Sequence, residues 1–399
     1  MKKLPLIVSK GFILFLIISL SGLGILFGYS QIVTYLFLPF LLFYTFNLNK
    51  FKTRSSNNVY LKIFLFILFL SLLLLFKSID ISAGLSNISK LAGVFFCIII
   101  TFNYLNFKKY NFTNTFLASF IISFYVISFF LILDFGVGVS NISKGENIKR
   151  SEFELNANIY SYFSFFANMA IYYLLELTKN KKLILFSIFT TIFGVFISFI
   201  TASRSGLLFT VLIAFFYWFY IFNLVGAKFK ILKYLILALV SIFIVIQFYS
   251  VYQNSFIKER VDSSISSGKE SRVDLAKEAI YVFSDHPLTG VGPGQFYLYG
   301  TNKESFSHNS YTEMAANLGI LGLLLVLFLF VKPFLSSIKI FQNKRFKNRS
   351  ILKLNILFFL FFIIYNNFYV FYLTTYGMIF FMIIVSIQEK TLIKNSIDN

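Results

Sequence analysis

Reactive side chains are scarce in this sequence. One cysteine, Cys97, and two histidines, His286 and His308, occur in 399 residues, and only 13% of positions are charged. A lone cysteine excludes an intrachain disulfide framework. The histidines lie 22 residues apart without an i, i+4 pair or an evident third ligand, which is not the spacing of a zinc site. No Gly-x-Ser-x-Gly elbow supports a Ser-His-Asp hydrolase. Gly290, Gly292 and Gly294 lack the third-glycine spacing and the βαβ setting of a dinucleotide fingerprint, so the run reads as a tight turn re-entering the membrane surface. No ATP site, linker, low-complexity tract or internal repeat is visible.

Apolar residues are abundant instead: 58% of the chain, with a mean hydropathy of +0.78. Runs of roughly 17 to 20 apolar residues, enough to cross ~30 Å of hydrocarbon, recur throughout. They fall near 11–28, 31–47, 60–76, 91–106, 115–134, 157–176, 183–199, 205–222, 231–248, 313–331, 352–370 and 372–388. The expectation is an all-α, polytopic integral membrane protein of about 12 transmembrane helices. The chain reads as one transmembrane domain over 1–399, with Met1-Lys2-Lys3 opening an uncleaved first span. Most of the 57 Phe and 24 Tyr are expected to face lipid or pack between helices.

The net charge of +20 is topogenic. With both termini cytoplasmic, the inner segments carry 24 Lys/Arg against 3 Asp/Glu and the outer ones 12 against 13. That asymmetry is the positive-inside rule, and it leaves no reason to invoke nucleic acid. It also places the longest polar stretch, 249–312, outside the cytoplasm.

That loop holds both histidines and an amphipathic helix. At about 100° per residue, Leu275, Ala276, Ala279, Ile280, Val282 and Phe283 gather within about 80° of Arg272, opposite Asp274, Lys277, Glu278, Tyr281 and Asp285. Arg272 therefore sits mid-face among apolar residues, where a charge needs a partner. Either an anionic substrate group serves, or a structural pair with Asp134, Glu152 or Glu154. The helix should stop near Asp285, before His286-Pro287. Farther on, Ser310 and Glu313 have capping-box spacing for the next span. This puts His308 just outside a helix N-terminus, either as a general base or as an inert surface imidazole. In the short outer loop, Thr201-Ala202-Ser203-Arg204-Ser205-Gly206, Ser203 can cap the following helix. Arg204 either snorkels to headgroups or, with that helix N-terminus, forms an anion site.

The segment His308-Asn309, followed by nine residues and Gly319-Ile320-Leu321-Gly322, resembles the signature of the bacterial O-antigen ligase and polymerase superfamily. Ser203-Arg204-Ser205-Gly206, Ser271-Arg272-Val273-Asp274 and His286-Pro287-Leu288-Thr289-Gly290-Val291-Gly292 stand around it in fitting order. The resemblance covers roughly 155–390. It implies an enzyme of the bacterial inner membrane whose site faces outward and which moves a sugar chain from an undecaprenyl diphosphate carrier. It maps the motif residues onto Arg204, Arg272 and His308, with Asn309 as a further substrate contact. The arginines would hold the donor diphosphate, and His308 would deprotonate or orient the acceptor hydroxyl, without cofactor or metal. The expected function is polymerisation of carrier-linked repeat units into O-antigen or capsular polysaccharide. Ligation of the finished glycan to lipid A-core is the alternative, and transport or flipping of lipid-linked glycans a third reading. Membrane lipids, the glycan donor, a glycan or lipid A-core acceptor and a chain-length regulator are the partners implied.

Overall fold

The computed structural model describes residues 58–105, 112–134, 157–201, 203–222, 262, 271–300, 306–343, 346 and 348–397. The expected spans 11–28, 31–47 and 231–248 lie outside the described residues, as does most of the loop N-terminal to Ser271.

Every regular element among the described residues is helical. In chain order they are α1 (Val59–Leu74, tightened by a 3-10 turn at Leu75–Lys77), α2 (Ile81–Leu105), α3 (Thr113–Asp134), α4 (Ala157–Thr178) and α5 (Lys182–Ile200). There follow α6 (Arg204–Phe216, ending in a π turn at Tyr217–Ile221), α7 (Ser271–Asp285), the single turn α8 (Phe296–Tyr299), α9 (Ser310–Gln342), α10 (Arg349–Tyr365) and α11 (Thr375–Ile397). α2 begins ten residues before the expected 91–106, α9 continues well past 331, and α10 stops short of 370.

Among the described residues six helices are long and apolar enough to cross a membrane: Val59–Lys77, Ile81–Asn103, Thr113–Leu133, Lys182–Ile200, Arg204–Ile221 and Ser310–Gln342. α4, α10 and α11 fall short of that measure, although apolar runs mark all three. Burial explains α4 and α11. Tyr160, Phe163, Phe166, Met169, Tyr172 and Leu175 of α4 are all fully enclosed, and so are Phe380, Ile383, Ile384 and Val385 of α11. A helix surrounded by protein can carry serine, asparagine and glutamate against its neighbours, whereas one that meets lipid cannot. α5 is the contrast, presenting Leu185, Phe189 and Ile192 outward.

The chain divides into two compact units. The first holds residue 114 onward of α3, then α4, α5, α6 and the start of α10; the second holds α1, α2, α7, α8, α9, the rest of α10, and α11. In the first unit α4, α5 and α6 pack against one another, α4 meeting both others through small residues. A Cβ on Gly194 of α5 would lie 2.4 Å from Ser164 Oγ, and one on Gly206 of α6 would lie 2.1 Å from Ser161 Cβ. Only glycine permits these approaches, the packing mode of helices in lipid, where apolar contact alone gives no preference for protein over solvent.

In the second unit α9 packs on α1 and α7, and α11 packs on α2. Asn58 caps α1, its Oδ1 accepting from Tyr60 N at 2.9 Å and Leu61 N at 3.3 Å. Its amide donates to Glu389 of α11 at 2.8 Å, closing that end of the unit. The candidate residues Arg272, His308 and Asn309 sit at the other end, with the glycine turn.

Candidate active site

α7 carries Arg272 as the sequence pattern requires. Leu275, Ala279 and Val282 form its buried stripe, in one apolar cluster with Val291, Phe296 and Ala316. The stripe is narrower than expected: Ile280 is exposed, and Ala276 and Phe283 are half-buried. Arg272 lies one turn before Leu275 on this face, half-buried. Among the described residues no carboxylate pairs with it. The acidic alternatives Glu152 and Glu154 fall outside those residues, as does the side chain of Asp134.

α7 ends at Asp285, and His286 N bonds back to Val282 O and Phe283 O at 3.1 Å each. The chain then turns through Gly290, Gly292 and Gly294, whose φ angles of 64°, 105° and 66° favour glycine. The turn docks into a break in α9. Gly319 has φ 68° and ψ −160°, so the helix is interrupted there. The interruption frees the carbonyls of Ala316 and Asn317, which accept Val291 N at 3.0 Å and Gly292 N at 2.9 Å, while Ile320 N donates to Pro287 O at 2.8 Å. Buried backbone groups need partners, and here each segment supplies the other's. A Cβ on Gly319 would lie 2.4 Å from Leu288 O, and one on Gly292 would meet Ser78. The Gly319-Ile320-Leu321-Gly322 motif thus lies within α9, at its break, and the glycine turn is a docking element.

The start of α9 corrects the expected capping box. The N-cap is Asn309, its Oδ1 accepting from Tyr311 N at 2.9 Å and Thr312 N at 3.2 Å. Ser310 is already helical, and its hydroxyl donates to Asn366 Oδ1 at 2.6 Å. Glu313, fully buried, reaches back to Ser307 N at 2.6 Å instead of to the cap residue. The shift by one residue follows from asparagine being at least as good an N-cap as serine. Asn309 is therefore committed on one side; its amide faces Asn367 at 3.3 Å.

His308 is held between these two anchors with φ 57°, a left-handed conformation that costs a non-glycine residue about 1 kcal/mol or more. Its ring packs edge-on against Phe306, with centroids 4.5 Å apart. Nδ1 is buried without a hydrogen-bond partner among the described residues. Burial, and then the positive charge of Arg272, push the imidazole down to about 4. It is neutral at physiological pH. The same guanidinium charge is felt by Tyr369, whose neighbour Phe371 bonds through its N–H to Ser310 Oγ at 3.2 Å. Arg272, Phe306, His308 and Tyr369 form one neighbourhood of the second unit.

Arg204 belongs to the first unit, in the opening turn of α6 and half-buried. Ser203 is the N-cap by position, but its hydroxyl makes no capping bond. It donates to Asn158 Oδ1 at 3.2 Å and accepts from Ser161 at 2.8 Å, so it ties α6 to α4. The opening turn of α6 thus has no side-chain cap and no acidic residue. His286 only edges Tyr299, centroids 5.9 Å apart. Among the described residues no cluster of three or more His, Cys, Asp or Glu side chains could hold a metal ion.

Sequence reasoning passed over Phe306, Tyr369 and the pair Glu313–Asn317, whose side chains bond at 2.8 Å. The i, i+4 spacing of Glu313 and Asn317 was a legible signal; Tyr369 comes close only through folding.

No curated protein matches the chain significantly. Residues 189–327, which run from α5 through the break in α9, match the family model described as O-antigen ligase. That stretch, which contains Arg204, Arg272 and His308, is where the chain is similar to the O-antigen ligase family.

Proposed function

We propose that this protein is a glycosyltransferase of the bacterial inner membrane that polymerises undecaprenyl-diphosphate-linked repeat units into O-antigen or capsular polysaccharide at the outer face. The observation that carries this reading is the proximity of Arg272 to His308, far apart in the chain yet close enough for the guanidinium to act on the imidazole. A cation and a neutral imidazole are the two groups such a transfer asks of a protein, since the donor is already activated.

In this reading Arg272 binds the diphosphate of the donor, whose oxygens the guanidinium fork suits, and the family resemblance assigns Arg204 to the donor as well. The acceptor hydroxyl oxygen attacks the anomeric carbon, the bond from that carbon to the phosphate oxygen breaks, and undecaprenyl diphosphate leaves with the bonding pair. The arginines stabilise the charge that develops on it. One displacement inverts the anomeric centre. The acceptor's proton passes to His308, through Nε2 because Nδ1 is buried. A base as weak as this imidazole takes the proton late, once the attacking oxygen has become acidic through bonding to carbon.

The test is glycan transfer in membranes. Arg272→Ala and His308→Ala should abolish it at normal protein level and insertion, and Arg272→Lys should impair it; full transfer by both alanine variants rules the reading out.

The ligase alternative is favoured by the similarity to the O-antigen ligase family over residues 189–327. The two part on the surface polysaccharide of cells lacking the protein. Cores bearing a single repeat unit indicate a lost polymerase, whereas undecorated core with carrier-linked long chains indicates a lost ligase. Transport of lipid-linked glycans is less favoured, because Arg204, Arg272 and His308 lie at helix starts, whereas the mid-span positions offer mainly the uncharged Asn168, Asn317 and Asn355.

A further inference from the structure

The fully buried carboxylate of Glu313 joins two parts of the second unit that the reaction scheme leaves unconnected. Its Oε2 accepts from Ser307 N at 2.6 Å, directly before the left-handed His308. Its Oε1 accepts from Asn317 Nδ2 at 2.8 Å. Asn317 Oδ1 in turn accepts from Gln295 N at 3.2 Å and Phe296 N at 3.1 Å, at the end of the glycine turn. Gln295 extends the chain further, its amide exchanging two bonds of 2.8 Å with the backbone of Asp80.

We propose that Glu313 is a positioning residue for His308: through Ser307 N–H it holds the imidazole loop in its left-handed conformation and locks that loop to the glycine turn by way of Asn317. This rests on the transferase reading of His308. Three donors, Ser307 N–H, Gln295 N–H and Phe296 N–H, must find acceptors in a buried place, and one amide plus one carboxylate satisfy all three and each other. The cap at Asn309 fixes the far side of His308; on the near side the Ser307 hydroxyl bonds to Asn309 O at 3.1 Å and faces Thr312 Oγ1 at 3.3 Å, and Glu313 is the acceptor that holds the Ser307 amide.

The polarity of this arrangement makes it testable. In Glu313→Gln one carbonyl oxygen must serve two donors, and the new amide faces a donor whichever way it turns. Flipping Asn317 to accommodate it would abandon Phe296 N–H and leave Gln295 N–H only its 3.4 Å bond to Gly292 O. Adding Asn317→Asp restores every bond with one hydrogen bond reversed and the net charge unchanged.

Glu313→Gln should therefore lower kcat by about 10- to 100-fold with KM changed little, as expected when a reacting group is misplaced by an ångström or less. The double variant Glu313→Gln/Asn317→Asp should recover most of that loss, the coupling expected of residues in one network. The chain has only two histidines, so in a His286→Gln background the His308 imidazole can be titrated alone by NMR in micelles. Its pKa, about 4 in the parent, should move up toward 6.5 in Glu313→Gln as the ring loses its burial, with Arg272 and Tyr369 as the charged and titratable groups of its neighbourhood, and return in the double variant. Glu313→Asp, which keeps the charge and shortens the reach, should move both quantities the same way and serves if the glutamine variant does not accumulate.

An unchanged imidazole titration in these variants, or a double variant no better than the single one, overturns the positioning role. His308→Ala with full transfer overturns the transferase reading instead, and the titration still reports on Glu313.

Discussion

At the residue scale, His308 has its burial and its charged neighbour acting in one direction. Both disfavour the imidazolium, so its folded value, about 4, lies below the unfolded value near 6.5. The unfolded chain then binds the extra proton in the window between the two, and stability contributed by the neutral ring is complete above pH 6.5 and is lost as pH falls through that window. The thermal midpoint should accordingly decline on acidification from pH 6.5 toward 4, and His308→Gln should flatten that decline. Equal slopes in parent and variant would show that other groups carry it. Replacing Arg272 by Gln removes the smaller of the two causes. The imidazole should then titrate above its parent value yet still below 6.5, because burial remains. An unmoved titration would mean that the two side chains do not share a site.

At the scale of elements, the break in α9 is what the glycine turn docks against. Gly319→Ala puts a Cβ where Leu288 O stands and asks a non-glycine residue to keep φ 68°. Strain and overpacking together should cost at least about 2 kcal/mol, read as a lower unfolding midpoint in detergent. Gly206→Ala should be damaging for a different reason, since α6 must back away from Ser161 and the hydroxyl bonds of Ser203. A midpoint within error of the parent for both variants would show that these helix contacts yield at little cost. The apolar runs of α1, α3 and α5 and the periodic face of α7 were legible because transfer of apolar side chains from water is a per-residue quantity that composition and spacing report directly. α4 and α11 were legible as helices but not in their surroundings. Their full burial depends on what packs around them, and the pattern of one helix carries no record of its neighbours.

At the scale of the whole molecule, orientation rests on the distribution of Lys and Arg. Cys97 is buried and the sole cysteine, so a Cys97→Ser background is silent to a membrane-impermeant maleimide. In intact spheroplasts Lys277→Cys on the exposed side of α7 should label, whereas Lys181→Cys in the exposed turn before α5 should label only after permeabilisation. The reverse pattern would invert the proposed topology and move the site to the cytoplasmic face.

The membrane class, the helical series and the placement of Arg272 on an apolar stripe were determined by the sequence alone, as was the order of motifs that carries the resemblance. Each depends on the spacing of residue types along one segment. The left-handed His308, the N-cap at Asn309 and the bonds joining Glu313, Asn317 and Gln295 were decided only by the tertiary structure. They arise because a helix broken at Gly319 frees backbone groups that segments distant in sequence must satisfy, and which polar side chain meets which freed group is settled by packing in three dimensions.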